Sequence, residues 1–219
     1  MFRAVIFDID GTLIDSNDQH AAAWVETFRR YGLPFPFKDV RFQIGKGGDQ
    51  LLPVFLSKEQ LKRQGQEIEQ ACGDLFKRDY LPTVRAFPGV KPLFERLKRD
   101  GKTVVLGTSS KADEAKRYAE IAGVDQLIDG LTTADDAAHS KPCPDIFQAA
   151  LKKLAPIPAA DTLVIGDTPY DAEAAAGAGL RTIGVRCGGF PDEDLKAAGC
   201  IAVYDGPWDL LARYAEGAE

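Results

Sequence analysis

The hydrophobic pattern changes texture along the chain. Residues 4–8 open with a short apolar run, Ala-Val-Ile-Phe, whose β-branched and aromatic content predicts a buried strand. Gly11 then permits a tight change of direction. Asp15-Ser16-Asn17-Asp18 is a cluster of helix N-cap residues. A helical pattern follows through His20, Trp24, Val25, Phe28 and Tyr31 and stops at Gly32, with Pro34 and Pro36 beyond. Residues 44–49 (Ile-Gly-Lys-Gly-Gly-Asp) form a glycine-rich loop. A helical pattern at 51–55, limited by Pro53, precedes a long charged helical stretch over 58–80 with apolar positions at Leu61, Ile68, Cys72, Leu75 and Phe76. No strand is predicted between residues 16 and 85.

From Phe87 onward, strands and helices alternate. A helix through Leu93, Phe94 and Leu97 ends near Gly101. Strands are predicted at 103–107 and 162–166, weakly at 127–132, and at 182–185 and 202–204. The intervening helices lie at 112–122, 144–154 and, rich in alanine, up to Gly177. Such alternation argues for a parallel sheet with helices on both faces. The first strand precedes the helical block, so the block is an insertion. The expected fold is α/β, with a Rossmann-like parallel-sheet core at 1–15 and 86–219 and an inserted α-helical unit at 16–85.

Composition narrows the function classes. With 219 residues, 45% hydrophobic and 27% charged, the chain is an ordinary globular protein of one core plus an insertion. A net charge of -6 and pI ≈ 5.1 give no reason to expect a nucleic-acid or membrane partner. Cys72, Cys143, Cys187 and Cys200 form no C-x-x-C pair. His20 and His139 are the only histidines, which argues against zinc and for free thiols. No signal-peptide pattern or membrane span is read, so a cytoplasmic enzyme is expected.

Ligands of open parallel sheets bind beyond the C-terminal strand ends, and there this chain carries chemistry. The first strand delivers Asp8 and Asp10, the second Thr108 and Ser109, and the 162–166 strand Asp167, with Asp171 four residues on. Lys141 sits in the loop Ser140-Lys141-Pro142-Cys143-Pro144. Each residue taken alone has a plain reading: a polar turn at Asp8-Ile9-Asp10-Gly11, a helix cap at Asp167 or Asp171, a solvated lysine at 141. Together they match phosphoryl transfer. A carboxylate attacks phosphorus, Mg²⁺ offsets charge, hydroxyl and amine hold phosphoryl oxygens, and a second acid serves the leaving group.

Asp8-Ile9-Asp10-Gly11-Thr12-Leu13, Thr108, Lys141-Pro142 and Gly166-Asp167-Thr168-Pro169-Tyr170-Asp171 resemble, in order, the four signature motifs of the haloacid dehalogenase-like hydrolases. The segment after the first motif also looks like the start of β-phosphoglucomutases and of many phosphatases such as those for phosphoglycolate. The resemblance implies that 16–85 is a small cap with hinges near 15–17 and 84–88. It implies Asp8 as nucleophile and Mg²⁺ ligand, and Asp10 as general acid/base that also gives its carbonyl to the metal. Thr108 and Lys141 would hold the phosphoryl group, and Asp167 and Asp171 would complete the metal site. Thr12 would order the nucleophile loop and, with Ser109, Lys46 and His20, lie toward the substrate. Lys46 would read the substrate, or else be a solvated loop lysine; His20 reads better as a packing or hydrogen-bonding residue than as a catalyst.

Dehalogenating members lack the second aspartate, which is present here. Gly166 stands where mutases usually carry an acid. The expected function is a Mg²⁺-dependent phosphatase of small phosphorylated metabolites, phosphoglycolate or sugar phosphates, in a monomer or weak homodimer. The alternatives are a β-phosphoglucomutase-type mutase and a catalytically silent binding protein of the same fold.

Overall fold

A computed structural model describes residues 2–216. Its elements run β1 (Ala4–Phe7), β2 (Ile14–Asp15), α1 (Asn17–Arg30), α2 (Phe37–Arg41), α3 (Gly48–Phe55), α4 (Lys58–Gln60) and α5 (Gln66–Leu75), then β3 (Arg85–Ala86), α6 (Val90–Arg99), β4 (Thr103–Gly107), α7 (Ala112–Ala122) and β5 (Gly130–Thr132). They continue with α8 (Asp145–Leu154), β6 (Thr162–Gly166), α9 (Pro169–Gly177), β7 (Arg181–Val185), α10 (Asp192–Ala197), β8 (Ala202–Tyr204) and α11 (Pro207–Glu216).

Six strands form one parallel sheet in the order β5-β4-β1-β6-β7-β8. β1 is central because its side chains are apolar on both faces. Val5 and Phe7 enter one core cluster and Ala4 and Ile6 another, following the two-residue period of a strand. Phe7 is level with Leu106 of β4 and Ile165 of β6. That register brings the residues that follow β1, β4 and β6 to a common rim. The chain builds outward from β1 through β4 to β5 and then returns to β6, so this rim is the point where strand order reverses, the usual binding crevice of such sheets.

The helical stretch at 58–80 departs from a single helix. α4 and α5 are separated by a wider turn at Leu61–Gly65, and another follows at Phe76–Tyr80. Wide turns of this kind accommodate a residue whose side chain must face a different neighbour, and Phe76 stacks on His20. One short pair lies beyond the sequence reading. β2 and β3 form a two-residue antiparallel ribbon, Ile14 opposite Ala86 and Asp15 opposite Arg85, where the chain enters and leaves the helical segment. Strands this short carry no hydrophobic period of their own. Among the described residues, no helix is long and apolar enough to cross a membrane. The four cysteines are free thiols.

Candidate active site

Asp8 follows β1 and is 5% exposed. Its Oδ1 accepts from Lys141 Nζ, and its Oδ2 from Thr12 Oγ1 at 3.2 Å. Lys141 is 1% exposed and also pairs with Asp171 Oδ1 at 2.7 Å. Asp167 is fully buried, with Oδ1 accepting from Thr12 Oγ1 at 3.2 Å. Ligand atoms of Asp8, Asp167 and Asp171 all lie within 4.8 Å of one another. Three buried carboxylates therefore face one ammonium. Burial first, then Asp8 and Asp171, push Asp167 well above the usual carboxylate range. Burial raises Asp8 too, against the pull of Lys141. Close buried carboxylates repel unless a cation joins them. Oxygen donors with a surplus of negative charge are what Mg²⁺ takes, so the residues present fit a divalent ion.

Asp171 does two jobs. It is the third residue of a capping box at the start of α9, where Thr168 Oγ1 and Thr168 N donate to its Oδ2 at 2.7 and 3.1 Å, and its other oxygen holds Lys141. It is a helix cap and at the same time a partner of Lys141. Asp167 makes no cap. A β-carbon at Gly166 would fall 2.5 Å from Asp171 Cβ and Cγ, so a larger residue there would displace the partner of Lys141.

Asp10 sits apart from that cluster. Its carboxylate accepts from Ser16 Oγ at 2.6 Å and Ser110 Oγ at 2.9 Å and meets His20 Nε2 at 3.0 Å. Only its backbone carbonyl is left for the role at the metal that the motif implies. Burial pushes Asp10 up, but His20, Ser16 and Ser110 outweigh it and hold its carboxyl at about 2. His20 in turn is disfavoured as a cation by burial, yet Asp10 and then Glu114 raise it above its ordinary value. Its Nε2 also meets Tyr118 Oη at 3.0 Å, and its ring stacks on Phe76 at 3.8 Å. The expected N-cap cluster at 15–18 behaves differently from its local pattern: α1 has no side-chain cap. Ser16 serves Asp10 and Asn17 serves Asp167 instead.

His20 gives a test of this arrangement. A raised folded pKa means that its contribution to stability is complete below 6.5 and is lost as pH rises through the folded value. The imidazole signals of His20, identified by their loss in His20→Gln, are expected to titrate with a midpoint above 6.5. A midpoint below 6.5 would mean that Asp10 does not hold a charged ring.

A cavity of about 240 Å³ opens over Asp8, lined also by Asp10, His20, Lys46, Thr108 and Ser109. Thr108 is buried, its Oγ1 accepting from Ser110 N at 3.0 Å. Ser109 Oγ is buried with no protein hydrogen-bond partner. Thr12 is 0% exposed and ties Asp8 to Asp167 rather than reaching the cavity. Lys46 Nζ donates to Gln43 Oε1 at 2.6 Å and stands 4.4 Å over the Tyr170 ring.

The glycine-rich loop is not slack. Gly47 N donates to Ser140 Oγ at 2.9 Å, Ser140 N donates to Asp49 Oδ2 at 3.0 Å, and the Ser140 hydroxyl donates to Asp49 Oδ1. A β-carbon on Gly47 would come within 2.6 Å of Ser140 Oγ, so glycine is required for this approach. Asp49, Ser140 and Asn17 are absent from the sequence-level site. The only signal for the first two was that one ends a glycine run and the other precedes Lys141.

The chain matches the haloacid dehalogenase-like hydrolase family over residues 2–179. It is 33% identical over 201 residues to a probable phosphatase, IndB, of Dickeya dadantii, covering 89% of this chain and 85% of that one. A phosphorylated carbohydrates phosphatase of Thermotoga maritima is 26% identical over 83% of both chains. The crystal structure of a hydrolase from Pseudomonas syringae superposes with a TM-score of 0.88 at 31% identity, over 99% of this chain and 100% of that one. A family match across most of the chain, with the acids, hydroxyl and lysine gathered on one rim, places this protein in the haloacid dehalogenase-like hydrolases.

Proposed function

We propose that the chain hydrolyses small phosphorylated metabolites, phosphoglycolate or sugar phosphates, with Mg²⁺ and through an aspartyl-phosphate on Asp8. The observation that carries the reading is Asp8 itself. It is a carboxylate at the end of the central strand, one oxygen held by Lys141, lining a cavity with Asp10 and Thr108 around it. A carboxylate in that position attacks the phosphorus and the phosphorus–ester oxygen bond breaks. The departing oxygen takes a proton through Asp10, which draws it from His20 at 3.0 Å. Asp10 then takes a proton from the water that cleaves the acyl phosphate, which restores Asp8 and frees inorganic phosphate. Thr108, Ser109 and the ammonium of Lys141 hold the phosphoryl oxygens. Asp8, Asp167 and Asp171, with the carbonyl of Asp10, would hold Mg²⁺. The ion supplies charge neutralisation between nucleophile and phosphate.

Residues 16–85 act as a cap over a core of 1–15 and 86–219. The β2–β3 ribbon at the crossing points and the seating of the glycine loop on Ser140 support this division. With Lys46 on Gln43 and the Tyr170 ring, its part in reading the substrate requires its release from both.

The test is phosphate release from a panel of phosphorylated metabolites, β-glucose 1-phosphate included, in Mg²⁺ and in EDTA, with glucose 6-phosphate also assayed. Release in Mg²⁺ that EDTA abolishes is expected. Glucose 6-phosphate formed with little free phosphate would make the protein a mutase, and silence of the metal-loaded protein across the panel would make it a binding protein.

A further inference from the structure

Asn17 is the first residue of α1 and is 2% exposed. Its Nδ2 donates to Asp167 Oδ2 at 2.8 Å and to Gly188 O at 3.0 Å. The pocket that holds this contact is built for it. A β-carbon on Gly188 would fall 1.8 Å from Asp167 Oδ2. One on Gly11 would fall 2.1 Å from Asn17 Nδ2 and 2.2 Å from Asp167 Oδ2. Two chain segments thus give up their side chains so that the amide and the carboxylate can meet. Asp167 is thereby held at both oxygens, by Thr12 on Oδ1 and by Asn17 on Oδ2.

The other end of the amide is unexplained by the fold. Asn17 Oδ1 is buried and has no hydrogen-bond partner in the protein. A buried amide oxygen left without a donor is costly, and an ordered water or ion is one of the things that satisfies such an atom. Oδ1 belongs to the same planar group as Nδ2, so it stays close to Asp167. Asp167, which the amide holds, is one of the three carboxylates that fit a divalent ion, and a hydrated ion brings water donors with it.

We propose that Asn17 is a positioning residue of the cation site. Its Nδ2 fixes the carboxylate plane of Asp167, and its Oδ1 accepts from a water carried by the ion. The inference rests on the reading that Asp8, Asp167 and Asp171 bind Mg²⁺. Because Asn17 opens α1, the same bond ties the helical segment to the ion site. Arg41 at the end of α2 converges on the same carbonyl, Gly188 O.

The experiment is Mg²⁺ titration of the metal-free, full-length protein by calorimetry, comparing the unaltered chain with Asn17→Ala. Groups that orient metal ligands typically account for about 10–100-fold in affinity. A loss in that range is expected, with the Mg²⁺ concentration for half-maximal turnover rising in step. A folded Asn17→Ala protein whose Mg²⁺ affinity stays within about twofold of the original would overturn the proposal and leave Asn17 a purely structural tie. If Asn17→Ala fails to fold, the side-chain amide signals of Asn17 in the unaltered protein decide. They are expected to shift on Mg²⁺ addition, and signals that stay in place overturn the proposal. Failure of the unaltered chain to bind any divalent ion would overturn the cation reading itself, an outcome distinct from a bound ion that ignores Asn17.

Discussion

Asp8→Asn is expected to lower turnover by about 10⁴-fold or more, the scale of removing a nucleophile, while the protein stays folded. The substitution keeps the side chain's shape and leaves one oxygen for Lys141, but an amide does not attack phosphorus. It also removes one of three carboxylates crowded within 4.8 Å. Burial and the neighbouring acids Asp171 and Asp10 all disfavour the ionised form of Asp8. An Asp whose folded pKa is raised takes up a proton on folding, so it lowers stability as pH climbs above the unfolded value of 3.8. The metal-free variant is therefore expected to melt no lower than the original chain at roughly neutral pH. Turnover and a melting curve on the same preparation check both halves. Near-native turnover would remove the covalent route, and a folded variant that binds no phosphate analogue would point to a role in binding rather than attack.

Lys141→Met has the largest expected effect on stability. Lys141 is buried, with its ammonium on Asp8 and Asp171. Burial disfavours its charged form, but those two carboxylates prevail and raise its pKa above the ordinary lysine value. Taking away the cation leaves the carboxylates buried against one another, and breaking a buried pair in this way costs about 3–5 kcal/mol. The sign with pH follows. At acid pH the raised carboxylates are protonated in both proteins and the penalty is small. It grows as pH rises, because Asp8 and Asp167 must then ionise without a counter-charge. Mg²⁺ is expected to recover part of the loss. Denaturant unfolding from acid to mildly alkaline pH, with and without Mg²⁺, measures this. A penalty that is flat with pH would mean that Lys141 contributes by packing and not by charge.

Much of the candidate site was legible because its parts are local. A run such as Ala4 to Phe7 is a strand in nearly any context that buries it, and an acid at its end requires a partner from elsewhere. Asp8, Thr108 and Asp167 could be placed on one rim because each follows the C-terminal end of a predicted parallel strand. What escaped were residues with an equally good local use. Ser16 and Asn17 look like helix caps and neither caps α1. Asp49 looks like a first-turn acid of α3 and instead grips the residue before Lys141. The β2–β3 ribbon escaped because two residues carry no period.

By itself, then, the sequence determined the strands of the core, its helices up to Gly177 but not α10 and α11, the inserted helical segment, and the chemical inventory at the strand ends, since each follows from short-range hydrophobic period and backbone preference. Only the tertiary structure decided the partners. Asn17 meets Asp167 across 150 residues of chain, Lys141 meets Asp8 across 133, and Ser140 meets Asp49 across 91. A polar side chain can satisfy its hydrogen bonds on its own helix or on a distant loop at similar free energy. The choice between them is made by which loops the sheet brings within reach, and no local pattern carries that information.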